Sequence, residues 1–221
     1  MVKRLAGEFL GTFALVFCGT GAIIINQESG GVITHLGISI VFGLIVMAMI
    51  LSLGHLSGAH INPAVTIALG VAKLFKWENI VPYIFAQLAG ACLASLILKY
   101  LFPANQFLGS TIPKGSDMQS LILEYILTFL LMLVILASTR KKDHSLLVPA
   151  LAIGGTVGLE ALFAGPICGA SMNPARSVSP ALVSGHFQSL WIYILAPTTG
   201  AISAVFAFNV FRDKQILTHE K

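Results

Sequence analysis

The chain of 221 residues is 56% hydrophobic and 10% charged, with a mean hydropathy of +0.88, whereas soluble domains carry about 25% charged residues. Little of it can be a water-facing surface, and a formal net charge of +4 with no basic, aromatic-rich stretch gives no footing for a nucleic-acid partner. Cys18, Cys92 and Cys168 are odd in number and scattered, so no disulfide framework, metal site or cofactor is expected.

Six apolar stretches are long enough to cross a hydrocarbon core of about 30 Å: residues 5–25, 36–53, 80–102, 121–139, 146–165 and 190–211. The first follows Lys3 and Arg4 as a secretory signal would. Glu8 interrupts it and no small-residue cleavage site follows, so it is expected to be a retained span. Between the second and third spans lies Asn62-Pro63-Ala64, and between the fifth and sixth lies Asn173-Pro174-Ala175. Asparagine is a good N-cap and proline is welcome in the first helical turn, so each tripeptide is expected to start a helix. The apolar stretches that follow are too short to cross alone, at about 1.5 Å per residue, yet two placed end to end would span the core. The expected fold is therefore an all-α membrane protein with six transmembrane helices and two re-entrant half-helices.

The chain also aligns with itself. AGEFLGTFALVF around Glu8 matches LILEYILTFLLM around Glu124, GAHINPAVT matches GASMNPARS, and YIFAQLAGA at Tyr83 matches YILAPTTGA at Tyr193, at offsets of 116, 111 and 110 residues. Each half holds three spans, so the second half enters from the opposite face. This is an inverted repeat, about 1–110 and about 118–221, forming one transmembrane channel domain. It brings two half-helix N-termini to the midplane from opposite sides. Lys3, Arg4, Lys73, Lys76, Arg140, Lys141, Lys142, Arg212 and Lys214 fall on one side, and Lys99 and Lys114 on the other. The cytoplasmic bias of such charges puts both termini inside.

Two helix N-termini facing one spot place roughly half a positive charge each at the bilayer centre, a barrier to cations and protons. The side-chain amides of Asn62 and Asn173 offer donors there, beyond any role as caps. Arg176, in the first turn of the second half-helix, is a costly intramembrane cation, expected at an outer constriction. Glu8 and Glu124 are expected to accept hydrogen bonds from the loops before the half-helices, at His60 and Ile61 and at Ser171 and Met172, satisfying donors that lipid cannot. Proton relay is the competing role. His60 is expected to hold its loop rather than gate by titration, while His55 could do either. Glu160 could steer solutes or pair with Arg176, or else bond to the outer loop or a neighbouring helix. Cys168, two residues before Ala170, is expected to be reachable from outside and to let a mercurial block the pore. The pairs Gly7 and Gly11, and Gly154 and Gly158, are expected to allow close helix approach. Trp191 and Tyr193 are expected to anchor or pack the last span.

The twin N-P-A motifs, the second followed by Arg176, together with the paired glutamates and the six-span layout, resemble the aquaporin and aquaglyceroporin family over essentially the whole chain. The run LFAGPICGASMNPARSVSPAL is most similar to the nodulin-26-like intrinsic proteins of plants and their bacterial relatives. The resemblance implies a homotetramer in a plasma membrane or bacterial inner membrane, each subunit with its own passive, non-enzymatic pore for water and small uncharged solutes. It places the outer filter on Phe42, Ala161, Ala170 and Arg176. Strict water channels usually have histidine where this chain has Ala161, so the filter is expected to admit solutes larger than water: glycerol, and ammonia, urea or neutral metalloid acids. A strict water channel is the alternative, and an ion-coupled transporter a more distant one. Ser177 departs from the aspartate common after the arginine in glycerol facilitators.

Overall fold

The computed structural model describes residues 1–139 and 145–212. Arg140, Lys141, Lys142 and Lys214, part of the charge bias above, lie outside the described residues, as does the end of the second repeat. Among the described residues there are eight α-helices and no strand: α1 Val2–Glu28, α2 Thr34–Ser57, α3 Pro63–Val71, α4 Ile80–Leu101, α5 Asp117–Ser138, α6 Leu147–Cys168, α7 Pro174–Ser184 and α8 Ile192–Arg212. Six of them are long and apolar enough to cross a membrane, and they fall on the six expected spans. The other two, α3 and α7, hold 9 and 11 residues, roughly 14 and 17 Å of helix, which together match one bilayer core.

Corresponding helices of the two halves pack in the same way. Helix α1 lies along α4 as α5 lies along α8, and α2 meets α6 where the two halves join. Two glycines set the intra-repeat approach: a Cβ on Gly90 would collide with the Phe9 carbonyl, and one on Gly200 with the Tyr125 carbonyl. These glycines stand 110 residues apart, as Tyr83 and Tyr193 do. Across the repeat boundary, a Cβ on Gly43 would come within 2.8 Å of the Gly154 carbonyl oxygen and 3.1 Å of the Gly158 Cα. Close contact there replaces side-chain interdigitation, since lipid supplies no hydrophobic drive between helices. Gly7 faces Leu56 and Ser57 in the last turn of α2, and Gly11 faces Leu53 of α2 and the side chain of Ile61, so they let α1 approach the end of α2, as expected, and seat the first loop there as well.

Large apolar side chains such as Leu10, Leu44, Phe85, Leu159 and Phe206 point outward, while Glu8, Gln87, Glu124, Glu160 and Arg176 are buried. That inverts the usual soluble arrangement and suits a protein whose solvent is hydrocarbon. Trp191 is exposed, whereas Tyr193 is fully buried and donates to the Cys168 carbonyl at 2.7 Å. Tyr83 does the same to the Ser57 carbonyl at 2.9 Å. Each tyrosine thus ties the last span of its repeat to the end of the helix that precedes a half-helix.

Candidate functional site

Each re-entrant loop leaves its helix through a left-handed glycine and then alternates. Gly58, Ala59 and Ile61 have φ of 91°, 46° and 43°, and Gly169, Ala170 and Met172 have 87°, 42° and 53°. Left-handed backbone costs a residue with a Cβ about 1–2 kcal/mol, and β-branched Ile61 is least suited to it. Two carboxylates hold this conformation. Glu8 accepts from His60 N at 3.0 Å and Ile61 N at 2.7 Å, and Glu124 accepts from Ser171 N at 2.7 Å and Met172 N at 2.8 Å. These are the loop donors expected of the paired glutamates.

The loops end at the two half-helices. Asn62 caps α3 by accepting from Ala64 N, and Asn173 caps α7 by accepting from Ala175 N and Arg176 N. Their amide nitrogens cross over to the opposite loop: Asn62 Nδ2 donates to the Met172 carbonyl and Asn173 Nδ2 to the Ile61 carbonyl, both at 2.8 Å. One N–H of each amide is therefore used in joining the tips. The second N–H of each, on a side chain that borders open space, remains available.

That space is a cavity of about 340 Å³ that reaches from Leu74, Thr139 and Leu146 at one end to Phe42, Ala161, Ala170 and Arg176 at the other. All four residues assigned to the outer filter by resemblance border it, together with Asn62, Asn173 and His60. One wall is apolar, built from residues such as Val46, Ile50, Leu131, Ile153 and Val157, and the loops supply the polar one. Arg176 is buried and donates from Nη1 to the Gly109 carbonyl at 2.8 Å, with its guanidinium carbon 5.2 Å from the Phe42 ring centroid. Its Nε has no protein partner. In the aligned repeat Val65 takes the place of Arg176, 111 residues earlier, and it too borders the cavity. Among the described residues that border the cavity, an arginine thus stands at one end only.

His60 donates or accepts at Nδ1 with the Thr66 hydroxyl, 3.2 Å away, and its ring packs edge-on against Phe75 and tilted against Tyr83. The ring is thus held between α3, the segment after it and α4. Two partners escaped the sequence reading. Gln87 Nε2 reaches both Glu8 at 2.7 Å and Thr66 at 2.9 Å; its repeat counterpart is Pro197, so no such amide stands behind Glu124. In the second repeat Ser177, the counterpart of Thr66, accepts from Thr111 and is bonded to Ser171. The matched segments YIFAQLAGA and GAHINPAVT contain Gln87 and Thr66, and their polar character within apolar runs was the available signal. His55 is exposed in the last turn of α2, away from the cavity.

Three expectations are corrected. Cys168 is fully buried, with its thiol against the Ala164 carbonyl and the Ala170 N–H, and it does not border the cavity. The partly exposed thiols are Cys18 and Cys92. A mercurial is expected to leave water permeability unchanged, with Cys168 still unlabelled when the folded protein is quenched and analysed by mass spectrometry. Block that disappears in Cys168→Ala would contradict that burial. Glu160 is buried at 1% exposure, leaves one carboxyl oxygen without a protein partner, and neither borders the cavity nor forms an ion pair with Arg176 among the described residues. Solute steering by Glu160 is thereby removed. Its alternative bond to a neighbouring helix or outer loop is not made by that oxygen either.

Comparison with known proteins bears on the whole arrangement. Residues 1–208 match the family model described as Major intrinsic protein. Aquaporin NIP1-1 of Oryza sativa subsp. japonica is 44% identical over 212 residues, covering 96% of this chain and 75% of the relative. Aquaporin NIP2-1 of Arabidopsis thaliana is 45% identical over 223 residues, covering 97% and 77%. Among solved structures, the aquaglyceroporin from Plasmodium falciparum superposes with a TM-score of 0.87 at 27% identity, covering 98% of this chain and 97% of that one.

Proposed function

This chain belongs to the major intrinsic protein family, a family of membrane channels, and on that premise we propose that it is a passive pore for water and small uncharged solutes, glycerol among them, that excludes protons and ions. The observation that carries the reading is the meeting of Asn62 and Asn173 at the tips of two opposed half-helices beside a single cavity. A water molecule passing the tips presents its oxygen to the remaining amide N–H groups, in the field of two positive helix ends. It then donates outward in both directions. A proton wire through the pore is broken at that point, and a bare cation meets a repulsive potential.

The size of the solute is set at Phe42, Ala161, Ala170 and Arg176. Two methyl side chains leave room there, Phe42 offers an apolar face, and the Arg176 donors face what passes. A small polyol, with carbons on one side and hydroxyls on the other, complements that division. Ammonia, urea and neutral metalloid acids share the lack of charge. The same reading takes the protein as a homotetramer with both termini on the cytoplasmic side, the half-helix α7 opening outward.

Stopped-flow light scattering on reconstituted vesicles tests the function. Water and glycerol fluxes linear in the gradient, weakly dependent on temperature and indifferent to sodium and proton gradients are expected. Saturating uptake driven by either ion overturns the channel reading in favour of a coupled transporter.

A further inference from the structure

We propose that His35, at the start of α2, sets the width of the outer constriction by pinning α6 through the Leu162 carbonyl; the proposal rests on the reading of that constriction as the solute filter. Pro166 lies inside α6. Proline has no N–H, so the carbonyl four residues earlier, on Leu162, lacks its helical donor. At membrane depth such a carbonyl must be satisfied from within the protein. His35 supplies the donor from across the helix pair: its Nε2 lies 2.6 Å from the Leu162 oxygen. A carbonyl can only accept, so Nε2 is the protonated nitrogen of the ring. Gly165 makes room for it, since a Cβ there would come within 2.9 Å of the imidazole Cε1.

The pin adjoins the filter on both helices. Leu162 directly follows Ala161, and Phe42 stands seven residues beyond His35, two turns along the same face of α2. Deeper in the membrane the same helices meet at Gly43, Gly154 and Gly158. The α2–α6 seam is thus fastened at two heights; Ala161 lies between the fastenings, and Phe42 lies within the lower one, where Gly158 meets both Ser39 and Gly43. The glycine contact is rigid backbone against backbone. The upper fastening is one side chain, and losing it lets the seam part from its outer end, beside the two filter residues.

The test is the ratio of glycerol to water permeability, measured by stopped flow on reconstituted protein, a ratio that a change in the amount of folded channel does not alter. His35→Ala is expected to raise it about threefold, the order of one lost hydrogen bond, and His35→Gln, which keeps an N–H donor at similar reach, is expected to stay near the parent. In a Pro166→Ala background the helix provides its own donor to Leu162, and His35→Ala is expected to move the ratio less. An unchanged or lowered ratio in His35→Ala overturns the proposal, as does an equal rise in both backgrounds. Ala161→His separates the two levels: if it lowers the ratio while His35→Ala leaves it alone, the pin is wrong and the filter stands. If neither variant moves it, the filter reading falls and the pin with it.

Discussion

Ala161→His is expected to cut glycerol permeability by about tenfold or more while water permeability falls by at most about threefold, a discrimination of the size that steric fit in a small pocket supplies. Ala161 borders the cavity on α6, as Phe42 and Arg176 also do, so an imidazole built there is expected to enter the opening and add a polar contact. Water is small enough to pass what remains. A three-carbon polyol must shed its hydration and fit its backbone against Phe42, and the added ring occupies that space. Stopped-flow measurements of both solutes on the same vesicles check it. Equal loss of both permeabilities would mean that Ala161 is not at the constriction.

The second large effect is expected from the buried carboxylates, and it is unequal. Glu124→Gln replaces one acceptor by a donor that faces a backbone N–H, so one of the Ser171 and Met172 amides loses its partner at a fully buried side chain. Hydrogen bonds to charged groups contribute about 1.5–3 kcal/mol, and an orphaned buried donor costs about 1–3 kcal/mol more. The strained backbone at Ala170 and Met172 then has less to hold it. A marked drop in thermal stability in detergent and the loss of most water permeability per folded protein are expected. Glu8→Gln is expected to be milder. Gln87 stands behind Glu8 with its Oε1 unpartnered, and rotating its amide offers that oxygen to the introduced N–H₂. Side-by-side melting curves decide, and equal destabilisation by the two substitutions would remove Gln87 from the account.

Much of this was legible from residue order. Span positions follow from apolar length, and the half-helices from Asn-Pro at an N-cap followed by a stretch too short to cross. The glutamate-to-loop bonds follow from matching an intramembrane acid in each repeat to the nearest unsatisfiable donors. What stayed hidden depends on side-chain direction across sequence distance. Nothing near Cys168 announces that its thiol turns behind the loop, because left-handed backbone at Gly169 and Ala170 reverses the face that Ala170 presents. Gly7 and Gly11 carry the same spacing as Gly154 and Gly158, yet the first pair meets the last turns of α2 and Ile61 of the loop while the second meets the middle of α2; small-residue spacing records closeness without naming the neighbour. The His35 bond was hidden for a related reason. Pro166 marks a carbonyl in need, but the donor comes from 127 residues away.

The crossed amide bonds at the tips carry one more implication, for assembly. Asn62 finds its acceptor at Met172 and Asn173 finds its acceptor at Ile61, so a ribosome that has delivered only the first three spans has made a polar hook with nothing to catch. Until the later spans arrive, that hook and the Ile61 carbonyl face lipid or stray water unpaired, a state penalised at membrane depth. Insertion of the nascent chain should therefore finish at the centre and work inward from the periphery, the conduit being the last thing to come into existence.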